Sequence, residues 1–136
     1  MSPATVPVCL ITGASSGIGA ALAREFARHG HALVLTARRA AELDALADSI
    51  AGTGSPRPEV ITADIGAADG VARLATDLHA RGLEPSIVVN NAGFGLLGEA
   101  AALDLTQQLD MIDLNVRALT DLSLRFLDSV VRHQGG

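Results

Sequence analysis

LITGASSGIGAALAREFARHG occupies Leu10–Gly30 and places three glycines, Gly13, Gly17 and Gly19, within seven positions. The run leading into it, VCLIT (Val8–Thr12), is short and uniformly apolar, the pattern of a strand buried on both faces. Beyond the glycines, Ile18, Ala21, Leu22 and Phe26 recur at helical spacing, which predicts a helix over Ile18–His29 that Gly30 ends. A strand, a glycine-rich turn and a helix in that order build a phosphate cradle. The first glycine turns the chain out of the strand, the second lets backbone approach a pyrophosphate, and the third lets the helix pack closely. The helix N-terminus adds unpaired N–H groups and a partial positive charge. The spacing is Gly-x3-Gly-x-Gly rather than the commoner Gly-x-Gly-x-x-Gly. The longer loop brings in the hydroxyls of Ser15 and Ser16, with Ile18 in the same turn.

Working outward, apolar runs alternate with amphipathic segments. ALVLTA (Ala32–Ala37) predicts a second buried strand, and Leu43, Leu46 and Ile50 share one face of a second helix. Gly52–Pro58 is a loop by composition, followed by a third strand over EVITADI, Glu59–Ile65. Val71, Leu74 and Leu78 mark a third helix closed by Gly82, and Ser86–Gly93 contains a fourth strand ending at two asparagines. A long helical pattern runs from about Leu105 to His133. Strands joined by helical crossovers of this length must lie parallel. With right-handed crossovers the expectation is an α/β, Rossmann-like, doubly wound sheet of order 3-2-1-4, with residues 1–136 as one nucleotide-binding domain.

The end of the second strand refines the ligand. An NAD site places an acidic residue about twenty positions past the glycines, to hold the ribose 2′-hydroxyl. Here the sequence reads TARR, with Ala37 followed by Arg38 and Arg39. A guanidinium pairs with a 2′-phosphate through two parallel hydrogen bonds, where a carboxylate would repel it. Two arginines at a helix start also oppose the helix dipole, so their placement favours a ligand role. NADP(H) is therefore expected over NAD(H).

Composition excludes several other functions. A net charge of −5 argues against a nucleic-acid backbone or an anionic membrane as partner. No apolar run approaches the ~20 residues of a membrane span, and the opening MSPATVPV lacks the basic start and apolar core of a signal peptide. The single cysteine, Cys9, sits in an apolar run as a structural thiol and fits a reducing cytoplasm. His29, His31, His79 and His133 lack metal-ligand spacing, so no metal is expected. No lysine follows the glycines, which excludes a P-loop phosphotransferase.

These residues together resemble the short-chain dehydrogenase/reductase family in its non-extended form. TGASSGIG (Thr12–Gly19) resembles its cofactor signature, ADI (Ala63–Ile65) its third-strand end, and NNAG (Asn90–Gly93) its fourth-strand motif. The resemblance implies that Asp64 meets the adenine amino group and Ile65 the ring. It places Asn91, Ala92 and Gly93 along the adenosine-ribose side, where they also steady the sheet. DLNVRALTDLSLRFL (Asp113–Leu127) is similar to the family's long helix, in which Asn115 would hold a water in a proton relay. Read alone, Asp64 could equally cap a helix, Asn90 and Asn91 could be turn formers, and Asn115 a polar helix residue.

The resemblance implies a cofactor-binding half of an NADP(H)-dependent oxidoreductase acting on a small carbonyl or alcohol. The family's acid/base work belongs to a tyrosine with a lysine four positions later, helped by a serine on the next strand. A nearby lysine lowers the phenol's pKa from about 10, so that it can exchange a proton near working pH. This sequence contains no tyrosine and no lysine, and it reaches Gly136 where a fifth strand would begin. The alternative is a non-catalytic nucleotide-binding or dimerisation module. Leu109, Ile112, Val116, Leu119, Phe126 and Val130 are expected to form one apolar stripe, with Leu105, Leu114, Leu122 and Leu124 off it. A helix apolar on more than one side implies burial on more than one side, including a homo-oligomer contact through residues 105–133. The outer edge of the fourth strand is expected to be unprotected.

Overall fold

Val8 and Leu10 of the first strand, β1 (Val6–Thr12), join one buried cluster, and Cys9 and Ile11 join another. All four are at most 2 % exposed, so β1 is covered on both faces, as its apolar run requires. A computed structural model describes residues 4–15 and 17–136 of the chain. After β1 come α1 (Gly17–Arg28), β2 (Leu33–Ala37), α2 (Ala40–Ala51), β3 (Glu59–Thr62), α3 (Gly70–Ala80) and β4 (Leu83–Val89). The strands form one parallel sheet in the order β3-β2-β1-β4. This is the doubly wound Rossmann-like topology expected, with α1 and α2 on one face. The other face is covered by α3 and by the helical segment that follows β4.

Helix α1 meets the sheet through Gly19, Ala23 and Ala27, and not through the larger residues that its periodicity suggests. Ile18 is 73 % exposed and Phe26 only half-buried. Small residues at four-residue spacing let the helix backbone settle close to the sheet, and the larger side chains move to its flanks.

Two strand ends differ from expectation. β3 stops at Thr62, because Asp64 turns the chain: its Oδ1 accepts from Gly66 N–H at 3.2 Å and its carbonyl from Ala67 N–H at 3.1 Å. Such local bonds compete with a sheet ladder. β4 begins at Leu83, upstream of the expected Ser86, and runs through Glu84–Pro85. Pro85 is tolerated because the β1–β4 register slips between Val8 and Cys9. The Pro85 carbonyl accepts from the buried Ser129 hydroxyl.

The long helix is not continuous. α4 (Leu105–Ile112) leads into a π-helical stretch (Asp113–Ala118), then α5 (Leu119–Arg125) and, past a break at Phe126, α6 (Leu127–Arg132). A π-turn inserts one residue and advances later turns by roughly 100°. The expected single stripe is therefore split. Ala118, Leu122, Phe126 and Ser129 are buried, whereas Leu109, Ile112, Val116 and Leu119 are 40–56 % exposed. The outer edge of β4 is not bare, because Val88 N–H donates to the Gly136 carbonyl at 2.9 Å. No helix among the described residues is long and apolar enough to cross a membrane.

Candidate functional site

Thr12 closes β1 with a hydroxyl, and that hydroxyl organises the carboxyl end of the sheet. Its Oγ1 accepts from Asn91 N–H at 3.1 Å and Ala92 N–H at 3.0 Å, and donates to the Val89 carbonyl at 3.3 Å. The residue is buried. The Asn91 side chain completes the link, with Nδ2 donating to the Gly13 carbonyl at 3.0 Å. The loop after β1 and the loop after β4 are thereby one unit, although some eighty residues separate them in sequence.

The first glycine fits only as glycine. Gly13 has φ +61°, and a Cβ there would stand 2.8 Å from Ala92 Cα. At Gly19 a Cβ would run into the Gly13 carbonyl oxygen and Asn91 Nδ2. The loop is therefore closed against the end of β4 at Gly13 and Gly19, while Gly17, at φ +58°, faces open space on the other side, as a backbone cradle for a phosphate requires. Ser16 lies outside the described residues.

In front of the cradle lies a cleft of about 1110 Å³. From the glycine loop, Gly13, Ser15 and Ile18 line it; from the end of β2, Arg38 and Arg39 do. Asp64 and Ile65 line it from the turn after β3, and Asn91, Ala92 and Gly93 from the loop after β4. Gly17, Gly19 and Asn115 are not part of the wall: the two glycines shape the loop, and Asn115 acts behind it. Asn115 lies in the π-helical stretch, where Oδ1 accepts from Phe94 N–H at 3.0 Å and Nδ2 donates to the Phe94 carbonyl at 2.7 Å. Both halves of its amide are thus committed to one backbone unit. Gly93 is pressed against it, so a Cβ there would stand 2.8 Å from Asn115 Oδ1.

Electrostatically the β2 corner is the cationic side of the cleft. Arg39 Nη1 stands 3.4 Å from Glu42 Oε1 in the first turn of α2, and Arg38 has no ion pair among the described residues. Asp64, read alone as a possible helix cap, bonds Gly66 instead, and α3 starts only at Gly70. The Cys9 thiol is pushed up to about 12 by burial, which leaves it protonated and inert.

Three contributors were not picked out from sequence. Thr12 carried a signal, a hydroxyl ending an apolar run, but its partners come from a distant strand. Thr36 is buried in the cleft floor with Oγ1 unpartnered. Glu42 lines the mouth of the cleft and resembled any acidic residue in a first helical turn.

Comparison with known proteins agrees with this geometry. The family model described as short chain dehydrogenase matches residues 7–136. Sulfoacetaldehyde reductase 2 of Chromohalobacter salexigens is 35 % identical over 132 residues, which is 95 % of this chain and 51 % of that protein. An alcohol dehydrogenase from the archaeon Thermococcus sibiricus, complexed with 5-hydroxy-NADP, superposes with a TM-score of 0.87 at 32 % identity. That match covers 95 % of this chain and 55 % of the other. A short-chain dehydrogenase from Sphingobium yanoikuyae in complex with NADPH gives 0.83 at 36 % identity, covering 96 % and 51 %. The chain spans about half the length of these relatives.

Proposed function

The chain belongs to the short chain dehydrogenase family, and from that membership we propose that it is the NADP(H)-binding portion of an oxidoreductase acting on a carbonyl or alcohol. The observation that carries the reading is the pairing of a closed glycine cradle with two arginines at the β2 corner of one cleft. The residues present fit the cofactor. A Cβ at Gly13 or Gly19 would collide with Ala92, Asn91 or the Gly13 carbonyl behind the loop, whereas the space at Gly17 is open. Among the described residues, the buried Thr36 hydroxyl lacks a partner in the cleft floor. The solved relatives in complex with NADPH or 5-hydroxy-NADP support the same cofactor class.

In this reading the pyrophosphate lies on the backbone of Gly13–Gly19, with Ser15 and Ser16 as hydroxyl donors and Ile18 beside it. Arg38 and Arg39 hold the 2′-phosphate, and the Asp64–Ile65 turn and Asn91–Gly93 flank the adenosine. Bound there, the nicotinamide would exchange the hydride. Asn115 is a positioning residue: by fixing both polar groups of Phe94 it sets the turn that follows Gly93.

A second reading rests on composition. With no tyrosine and no lysine, these 136 residues offer no phenol–ammonium pair for proton transfer. In that reading they form a non-catalytic module that binds nucleotide, or a second copy of the chain, without turnover. The single buried thiol supports a reducing, cytoplasmic setting. For a partner, Leu105, Leu109, Ile112, Val116 and Leu119 follow an alternating four-three spacing and are all at least 40 % exposed. The π-helical stretch at Asp113–Ala118 interrupts the regular period, so these residues make an exposed apolar patch and not one coiled-coil seam. We assign that patch to a second copy of the chain. Calorimetric titration with NADPH and NADH tests the core of the proposal. It predicts NADPH binding at least tenfold tighter; equal affinities, or no binding, would count against it.

A further inference from the structure

We infer that Glu42 is the resident counter-ion of the phosphate corner and limits the chain's preference for NADP(H) over NAD(H). The inference rests on the cofactor reading above and deepens it. Arg39 immediately precedes α2, with extended backbone (φ −108°, ψ 117°) and no side-chain capping bond. Its guanidinium is engaged by Glu42, three residues on, with Nη1 and Oε1 3.4 Å apart. Both residues line the same cleft as Arg38.

The Glu42 carboxylate makes two interactions that a ligand's 2′-phosphate would make in its place. It neutralises Arg39, and it sets negative charge at the N-terminus of a twelve-residue helix. A phosphate entering this corner must therefore displace it from Arg39. The carboxylate then remains within the cleft as a like charge facing the dianion. NAD(H) has an uncharged 2′-hydroxyl and meets neither penalty, and a carboxylate can accept a hydrogen bond from that hydroxyl. Glu42 thus narrows the gap between the two cofactors from both sides. The pair is open to water, with side-chain exposures of 77 % and 46 %, so the effect is modest. An exposed ion pair sets a scale of up to about fivefold in binding.

The test is calorimetric titration of wild type, Glu42→Gln and Asp44→Asn with NADPH and NADH at low salt, repeated at high salt. Asp44 is on the same helix, pairs with Arg57 and does not line the cleft, so its variant controls for overall charge. The expected result is that Glu42→Gln tightens NADPH about three- to fivefold, leaves NADH unchanged or weaker, and loses its advantage at high salt. Asp44→Asn leaves the NADH-to-NADPH ratio of dissociation constants within about 1.5-fold of wild type. An unchanged or lower ratio in Glu42→Gln, or an equal rise in Asp44→Asn, overturns the inference even if NADPH remains the tighter ligand. Failure of both cofactors to bind any of the three proteins overturns the cofactor reading, and this inference with it.

Discussion

Asn91 Nδ2 donates to the Gly13 carbonyl at 3.0 Å and so fastens the end of β4 to the first glycine of the cradle. This bond joins residues 78 apart in sequence and ties the loop after β4 to the glycine loop. Replacing Asn91 by Ala leaves that carbonyl without its donor, at a cost of about 1–3 kcal/mol. Asn91→Asp goes further, because it turns an acceptor toward an acceptor. Urea midpoints are expected to fall in the order Asn, Ala, Asp, with cofactor affinity following; an Asp variant as stable as wild type would show that the link is dispensable.

Thr12 offers a cleaner dissection, since valine keeps its shape. Thr12→Val strands the Ala92 N–H beside a methyl, while Asn91 N–H keeps the Val89 carbonyl at 3.0 Å, and it is expected to cost about 1–3 kcal/mol. Thr12→Ser keeps the oxygen, and its expected loss is below about 1 kcal/mol. Denaturant unfolding of the pair checks this, and a smaller loss in Thr12→Val than in Thr12→Ser would mean that packing of the methyl, and not the hydroxyl, stabilises the corner.

How much of this was legible in the sequence depends on the range of the interaction. The strand cores at Val8–Thr12 and Ala32–Ala37 and the cradle glycines show in local pattern, because burial on both faces and a tight turn each constrain adjacent residues. The early start of β4 did not show. Glu84–Pro85 reads as a breaker until a register slip in β1 and the Ser129 hydroxyl accommodate it. The π-helical stretch is equally silent: Asp113–Ala118 continues a helical period, and only three-dimensional packing shows the extra residue. Thr12 and Glu42 escaped notice for a related reason, since what they do depends on what the fold brings opposite them.

Glu84 gives the molecule a pH-dependent clasp. Its carboxylate accepts from Thr5 Oγ1 at 2.5 Å, pairs with Arg132, and stands 3.4 Å from His133 Nε2. It thus joins the segment before β1, β4 and the end of α6. The Thr5 hydroxyl first, then His133 and Arg132, hold its pKa below the ordinary carboxylate value. A lowered folded pKa means the stabilisation is complete above the unfolded value of about 4.3 and disappears as pH falls through the folded one. Hydrogen exchange at Val88 N–H, which is bonded to the Gly136 carbonyl, reports the clasp. Protection is expected to drop in that acid window in wild type and to be low and flat in Glu84→Gln. Parallel pH profiles in the two proteins would rule the clasp out.

The exposed apolar patch on the segment after β4 makes a separate prediction about assembly. Leu109 is 51 % exposed and outside the cleft wall. Leu109→Glu places a charge in the apolar patch; sedimentation equilibrium is expected to show a dimer for wild type and a monomer for the variant, with NADPH affinity within about twofold. A monomeric wild type at micromolar concentration would remove the second copy from the account.

The measurement that bears most directly on the cofactor proposal is the pair of dissociation constants, for NADPH and NADH, of Arg38→Ala against wild type. Arg38 faces the cleft without an ion pair among the described residues, so its removal subtracts a phosphate contact and little else. A charge-assisted bond of about 1.5–3 kcal/mol corresponds to a loss of roughly 10- to 100-fold for NADPH, with NADH changed less than twofold. Equal losses for both cofactors, or none for either, would contradict the assignment of this corner to a 2′-phosphate.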